Sequence, residues 1–243
     1  KVTFESNADI IEATNYASWS DTKIRVKVPD NATNCKVYVT VNAARSNGVE
    51  FKVGYPPPDF DVEEIGDQTW MAENLDVERY RNGDPIPQVT DPTEWASLTT
   101  GAWCYYDNET SNGRVYGKMY NFYAVTDPRG LAPQGWHVST VDDWDELADH
   151  LGGYNVAGGK LKETGTTHWN DPNTDATNES GFTGLPGGYR MYDGSFNNLG
   201  TQALFWTTTS KTARALDYNA SGLTKWDGSR YDNGGFSVRC VKD

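Results

Sequence analysis

The stretch "LAPQGWHVSTVDDWDELADHLGG", residues 131–153, carries the strongest structural signal in the chain. Ser139 or Thr140 is placed to cap a helix, because a hydroxyl just ahead of the first turn accepts an amide hydrogen that the turn leaves unpaired. Asp142 and Asp143 follow at the positive end of the helix dipole. Val141, Trp144, Leu147, Ala148 and Leu151 then fall three and four apart, which gathers them on one face, and Gly152 with Gly153 ends the run. The opposite face is acidic. In the strand-like "GWHV" (135–138) His137 sits between apolar neighbours and is expected to be a packed core imidazole, while His150 suits the negative helix end.

On both sides of this helix the chain is rich in rings and turns. Its 243 residues include 9 Trp, 14 Tyr, 24 Gly and 11 Pro. A core made from them leans on large aromatics, and the frequent turns favour a loop-rich, β-containing domain over a helical bundle. Trp70, Tyr120, Phe122, Trp136, Trp144, Phe205 and Trp206 lie in ordered, partly alternating runs and are expected in that core. The formal net charge of −13 opposes attraction to nucleic acid or anionic lipid, so neither is an expected partner. No apolar run approaches the roughly 20 residues that span a bilayer, so no membrane insertion is expected. The first residue is Lys rather than Met, as expected of a mature or trimmed chain.

"GYPPPDFD" (54–61) divides the chain. Pro56, Pro57 and Pro58 have no amide hydrogen to give a sheet and hold the backbone extended, so 56–61 reads as a short stiff linker. Before it, in 1–55, "KIRVKVP", "CKVYVTV" and "GVEFKVGY" alternate with period two. Ile24, Val26, Val28, then Cys35, Val37, Val39, Val41, then Val49, Phe51, Val53 face one way. Three half-buried antiparallel strands of this kind suit part of an all-β sandwich. Cys35, Cys104 and Cys240 are too few for a disulfide scaffold and lack metal spacing. Cys104 and Cys240 are candidates to pair if their strands are neighbours, and Cys35 is expected to be a buried free thiol.

"ASWSDTKIRVKVPDNATNCKVYVTVNAARSNGVEFKV" resembles the second half of an IPT/TIG immunoglobulin-like domain, which implies a presenting module without a site of its own. From residue 62 onward the chain resembles the Fibrobacter succinogenes major paralogous (FISUMP) domain. The matching stretches are "IGDQTWMAENLDV" (65–77), "CYYDN" (104–108), "YGKMYNFYAV" (116–125), "LAPQGWHVSTVDDWDEL" (131–147), "ATNESGFTGLPGGYR" (176–190), "LFWTTT" (204–209) and "GFSVRCVKD" (235–243). The resemblance implies an α+β C-type-lectin-like body, related to the formylglycine-generating-enzyme branch of that fold, over 62–243. The expected architecture is thus that body preceded by a small, partial, all-β Ig-like sandwich.

Enzyme chemistry finds little footing. His137, His150 and His168 have no metal spacing, and there is no nucleophile elbow, phosphate loop or dinucleotide fingerprint. A hydrolase or oxidase is therefore the weakest reading, and no cofactor is expected. "HWNDPNTD" offers Asn170, Asp171, Asn173 and Asp175 as oxygen donors for calcium, although a polar loop explains the same letters. The segment "SKTARALDYNASGLTKWDGSRYDN" (210–233) shows no apolar period yet carries side chains common in binding hot spots. Lys211, Arg214, Asp217, Tyr218, Lys225, Trp226, Asp227, Arg230, Tyr231 and Asp232 are the expected ligand-binding set. Replacing Trp226, Arg230 and Tyr231 together is expected to abolish binding with little change in melting temperature.

In retroelement-diversified proteins a C-type-lectin-like body carries a variable stretch just before its last strand, and FISUMP-like domains are among those bodies. The resemblance therefore implies a non-enzymatic receptor or adhesin with a protein or glycan ligand on a cell surface. It would be displayed outside the cell, on a bacterial surface, or on a phage virion. The rival reading is a fixed carbohydrate-binding or polysaccharide-attachment module.

Overall fold

The structure is a computed structural model that describes residues 1–5, 10–14, 16–20, 24–26, 35–51, 60–209, 211–229 and 232–243. Arg230, Tyr231 and most of the proline-rich linker lie outside the described residues. The chain forms two compact units, Lys1–Tyr55 and Pro56–Asp243.

The described residues of the first unit form strands and turns without a helix. Strands β1 (Val2–Glu5), β2 (Ile10–Glu12), β3 (Tyr16–Trp19), β4 (Ile24–Val26), β5 (Cys35–Val41), β6 (Ala44–Arg45) and β7 (Val49–Phe51) form one sheet in the order β2-β1-β5-β6, with β7 also on β5, and a separate β3–β4 pair. Val2, Phe4, Ala13 and Cys35 are its buried centre. Cys35 is buried there and forms no disulfide. The expected period two holds only in part: Val49, read as a buried face residue, is 69% exposed.

The second unit mixes strand and helix. In chain order it contains β8 (Val62–Ile65), β9 (Gln68–Met71), α1 (Pro92–Ala96), β10 (Trp103–Cys104), α2 (Thr110–Tyr116), β11 (Met119–Tyr120), α3 (Phe122–Val125), β12 (Trp136–Val138), α4 (Val141–His150), α5 (Tyr154–Leu161), β13 (Gly187–Arg190), β14 (Phe196–Leu199), β15 (Gln202–Trp206), β16 (Thr212–Asp217), β17 (Leu223–Asp227) and β18 (Cys240–Lys242). They form a four-stranded sheet, β12-β18-β9-β8, a five-stranded sheet, β14-β13-β15-β16-β17, and a β10–β11 pair.

Helix α4 is capped by Thr140, whose hydroxyl accepts from the Asp143 amide while the Asp143 carboxylate accepts from the Thr140 amide. This reciprocal box satisfies two otherwise orphaned donors. The apolar face falls inside as expected: Trp144, Leu147, Ala148 and Leu151 are buried. His137 corrects the reading made for it. Its ring is 37% exposed and lies between two carboxylates, Nδ1 2.9 Å from Asp243 Oδ1 and Nε2 3.1 Å from Asp143 Oδ2.

The segment 235–242 joins the parts. Gly235 exchanges both backbone hydrogen bonds with Arg190, Phe236 pairs with Tyr120, the Ser237 amide donates to Leu204 O, and Ser237 O accepts from the Trp206 amide. Val238 O accepts from Leu75, Arg239 O accepts from Ser139, and β18 then lies between β12 and β9. Aromatics fill the spaces around it, with Trp206 stacked on Phe236 at 4.1 Å between centroids. Cys104 and Cys240 are not neighbours: Cys104 pairs with Met119 in one sheet and Cys240 with Val138 in another. Both are free, buried thiols; burial pushes the Cys104 pKa up to about 12 and raises that of Cys240 as well.

Candidate functional site

Within the stretch 210–233, expected to lack apolar order, residues 212–227 form a β-hairpin. β16 pairs with β15 on one side, Phe205 opposite Arg214, and with β17 on the other, Thr212 opposite Asp227 and Leu216 opposite Leu223. Both faces of β16 are covered. Ala213 and Ala215 pack with Leu204, Trp206 and Phe236, whereas Leu216, with Leu223 from β17, packs with Phe205, Trp144 and Leu161. A strand between two cores has no polar face, so no alternation appears in its letters.

β17 is the edge of that sheet and behaves differently. Thr224, Lys225 and Asp227 are exposed and Trp226 is half-buried, as Ser229 continues the exposed run. Trp226 leans on the core, its ring 5.1 Å from Phe236 and 5.6 Å from Tyr189. Its replacement is therefore not neutral. Trp226→Ala is expected to lower stability by about 1.5 kcal/mol, half the usual cost for a fully buried ring, read as a drop in the urea midpoint. A variant that melts with wild type would show the ring to be idle.

Arg214 is the clearest correction to the expected binding set. It is 1% exposed, with Nη2 3.1 Å from Asp145 Oδ1 on α4 and Nε donating to the Tyr154 hydroxyl at 3.2 Å. Tyr154 in turn donates to Asp145. The hydroxyl of Tyr154, with Arg214 and Lys225 adding to it, holds the Asp145 carboxyl below the usual carboxylate range; burial above all pushes Tyr154 up to about 12. A guanidinium committed in this way ties the hairpin to α4 and is not offered to a ligand. Lys225, 58% exposed, lies 3.7 Å from the same carboxylate.

The remaining expected residues divide. Lys211 and Asp232 form an ion pair at 2.6 Å across the open end of the hairpin. Asp217 accepts from the Gln202 amide at 2.7 Å, and Tyr218 is half-buried against the same core as Leu216. Asp227 accepts from the Ser229 amide. The structure thus leaves Thr224, Lys225, Asp227 and Ser229 outermost, with Trp226, Lys211 and Asp232 at their margin.

Lys162 carried no signal in the sequence and proves central. Its fully buried ammonium donates to three backbone carbonyls, Thr174 O, Asp217 O and Ala220 O, each at 2.9 Å. Burial pushes its pKa down to about 8, so at neutral pH it is charged and its three hydrogens meet three acceptors. Two glycines of α5 let neighbouring backbone approach: a Cβ on Gly158 would lie 2.2 Å from Gly222 O in the β16–β17 turn, and one on Gly159 2.4 Å from Asp175 O in the 170–176 loop. The Gly159 amide donates to Ser221 O.

The loop proposed for calcium is organised around that ammonium. Thr174 O is one of its three acceptors, and Asn173 spends its amide nitrogen on Glu163 O and Gly165 O. Asp171 and Asp175 are exposed. Among the described residues no three His, Cys, Asp or Glu side chains gather as metal ligands.

The family model of the Fibrobacter succinogenes major domain matches residues 64–242. The chain belongs to that family. The matched region takes in every element of the second unit from the end of β8 to β18, and so both the Fibrobacter succinogenes major domain scaffold and the hairpin it carries. No curated protein and no solved structure matches the chain. Among the described residues no helix of this family member is long and apolar enough to cross a membrane.

Proposed function

We propose that the outer edge of the β16–β17 hairpin is a non-catalytic binding surface for a macromolecular ligand. The observation that carries this reading is the contrast between the two strands. β16 is sealed between two cores, whereas β17, hydrogen-bonded to it, turns Thr224, Lys225 and Asp227 to solvent with Trp226 half-exposed among them. Side chains mounted on a backbone that is already fixed lose little further freedom on binding, and an aromatic ring flanked by polar groups is the usual composition of an interface centre. Membership of the Fibrobacter succinogenes major domain family supports a wider reading. The body is C-type-lectin-like, the hairpin is diversified by a retroelement, and an Ig-like module with a proline linker presents it. The protein then serves as a receptor or adhesin outside the cell or on a phage tail, with a protein or glycan as ligand.

The triple variant Thr224→Ala, Lys225→Ala, Asp227→Ala is expected to keep its melting temperature within about 3 °C, because exposed substitutions rarely shift stability by more than about 0.5 kcal/mol. Its binding to printed arrays of cell-surface glycans and proteins should fall to background at every spot that captures wild type. Undiminished capture by the triple variant, or none by wild type, overturns the proposal. For the wider reading the decisive observation is a near-copy of the segment encoding 204–243, differing at adenines and lying beside a reverse-transcriptase gene.

A further inference from the structure

We infer a second binding site, for one neutral sugar ring, in a cleft between the turn at 72–76, the end of α2 and the turn at 183–185. The cleft has a volume of about 270 Å³ and shares no lining residue with the hairpin. That size is just below the roughly 300 Å³ at which small-molecule sites usually begin, which restricts the occupant to a single ring.

Its chemistry favours hydroxyls over charge. Glu73, Asp76, Arg114 and Arg239 all line it, two carboxylates against two guanidiniums, so neither an anion nor a cation gains from entering. A hydroxyl donates and accepts at once, so a polyol satisfies both kinds of wall group together without bringing a charge into the cleft. Glu73 and Arg114 are exposed and make no hydrogen bond or ion pair with the described residues. Asp76 is steadied through Oδ1 by Lys118 Nζ at 2.6 Å. Arg239 is the fixed element. Fully buried, it donates through Nε to Asn74 Oδ1, through Nη1 to Met71 O and Phe182 O, and through Nη2 to Thr183 O. All four acceptors are neutral. A guanidinium has five hydrogens, so the fifth, on Nη2, has no acceptor among the described residues. Leu185, half-buried on the same wall, supplies an apolar surface for the C–H face of a ring.

The inference is independent of the hairpin reading, and its test keeps them apart. Titration of the full chain with methyl glucoside, galactoside and mannoside, followed by methyl NMR, should shift the Leu185 resonances with a dissociation constant on the order of 1 mM for at least one sugar. Glu73→Ala with Arg114→Ala, both exposed, should weaken that binding about tenfold or more without moving the melting temperature, while the hairpin triple variant binds the sugar like wild type. Linear trisaccharides distinguish the source within the proposal: tighter binding than the monosaccharide assigns the site to a glycan chain end, equal binding to free sugar. No shift with any sugar, shifts unchanged in the double variant, or shifts with acetate or lysine amide in place of sugar each overturn it.

Discussion

Lys162→Met should lower the unfolding free energy by about 3 kcal/mol or more, the largest effect of any single exchange proposed for this protein. The stem of methionine fills the same space, but Thr174 O and Ala220 O lose their shared donor and Asp217 O keeps, among the described residues, only the Ala220 amide at 3.4 Å. Each buried carbonyl without a partner costs about 1–3 kcal/mol, less where water can reach it, which sets the lower end as the estimate. The loss should also be local: amides near 174 and 217–221 exchange with solvent well before those of β15. A pH signature accompanies it. With the folded pKa at about 8 and an unfolded lysine near 10.4, the unfolded chain holds more protons between those values, so the contribution of Lys162 to stability rises with pH across that window. It is level below it, and the slope is at most about 1.4 kcal/mol per unit. Urea midpoints at intervals from pH 7 to 10.5 should show that rise in wild type and not in the Met variant. Equal midpoints at pH 7 would mean the three carbonyls find other partners.

Asp145→Ala is the second large effect, expected at about 2 kcal/mol. Arg214 remains almost wholly buried after the change and keeps only the Tyr154 hydroxyl. Removing one partner of a fully buried pair costs about 3–5 kcal/mol; Asp145 is 43% exposed, so water enters its place and the cost is discounted. Because the folded Asp145 carboxyl titrates below its ordinary range, its contribution is complete above that range and disappears as pH falls through the lowered value. Thermal melts from pH 6 to 2 should therefore fall less steeply for Asp145→Ala than for wild type. A second exchange settles the cause. If the penalty is an orphaned guanidinium, Asp145→Ala with Arg214→Met should be more stable than Asp145→Ala alone; a further loss would place the penalty in packing.

The two readings that succeeded and failed most sharply did so for identifiable physical reasons. Helix α4 was legible because every signal lay within fifteen consecutive letters, 139–153, and agreed: the cap, the early acids, the apolar spacing and the glycine stop. The hairpin was not, because β16 is covered on both faces and uses Ala213, Arg214, Ala215 and Leu216 to fill them. Arginine inside a strand looks like surface until its carboxylate partner, distant in sequence on α4, is in place. Helix α5 was hidden by Gly158 and Gly159, each costing about 1 kcal/mol of helix propensity and kept where other backbone comes too close for a side chain. Lys162 gave no signal at all, since its acceptors are main-chain oxygens that no residue letter encodes. His137 was misread for the related reason that its flanking carboxylates come from the first turn of α4 and from Asp243.

The turn between β16 and β17 has a consequence for how this surface evolves. Tied to the Lys162 ammonium through Asp217 O and Ala220 O, and with Gly158 of α5 leaving no room beneath Gly222, it is expected to tolerate neither an added residue nor a deleted one without dislodging α5. On the proposed binding edge beside it, new specificities would then arise by swapping letters at constant length, unlike antibody loops, whose repertoires also grow by insertion. A mutator that rewrites single bases and preserves the reading frame suits such a platform, and grafted epitopes engineered onto it should replace residues instead of extending the turn.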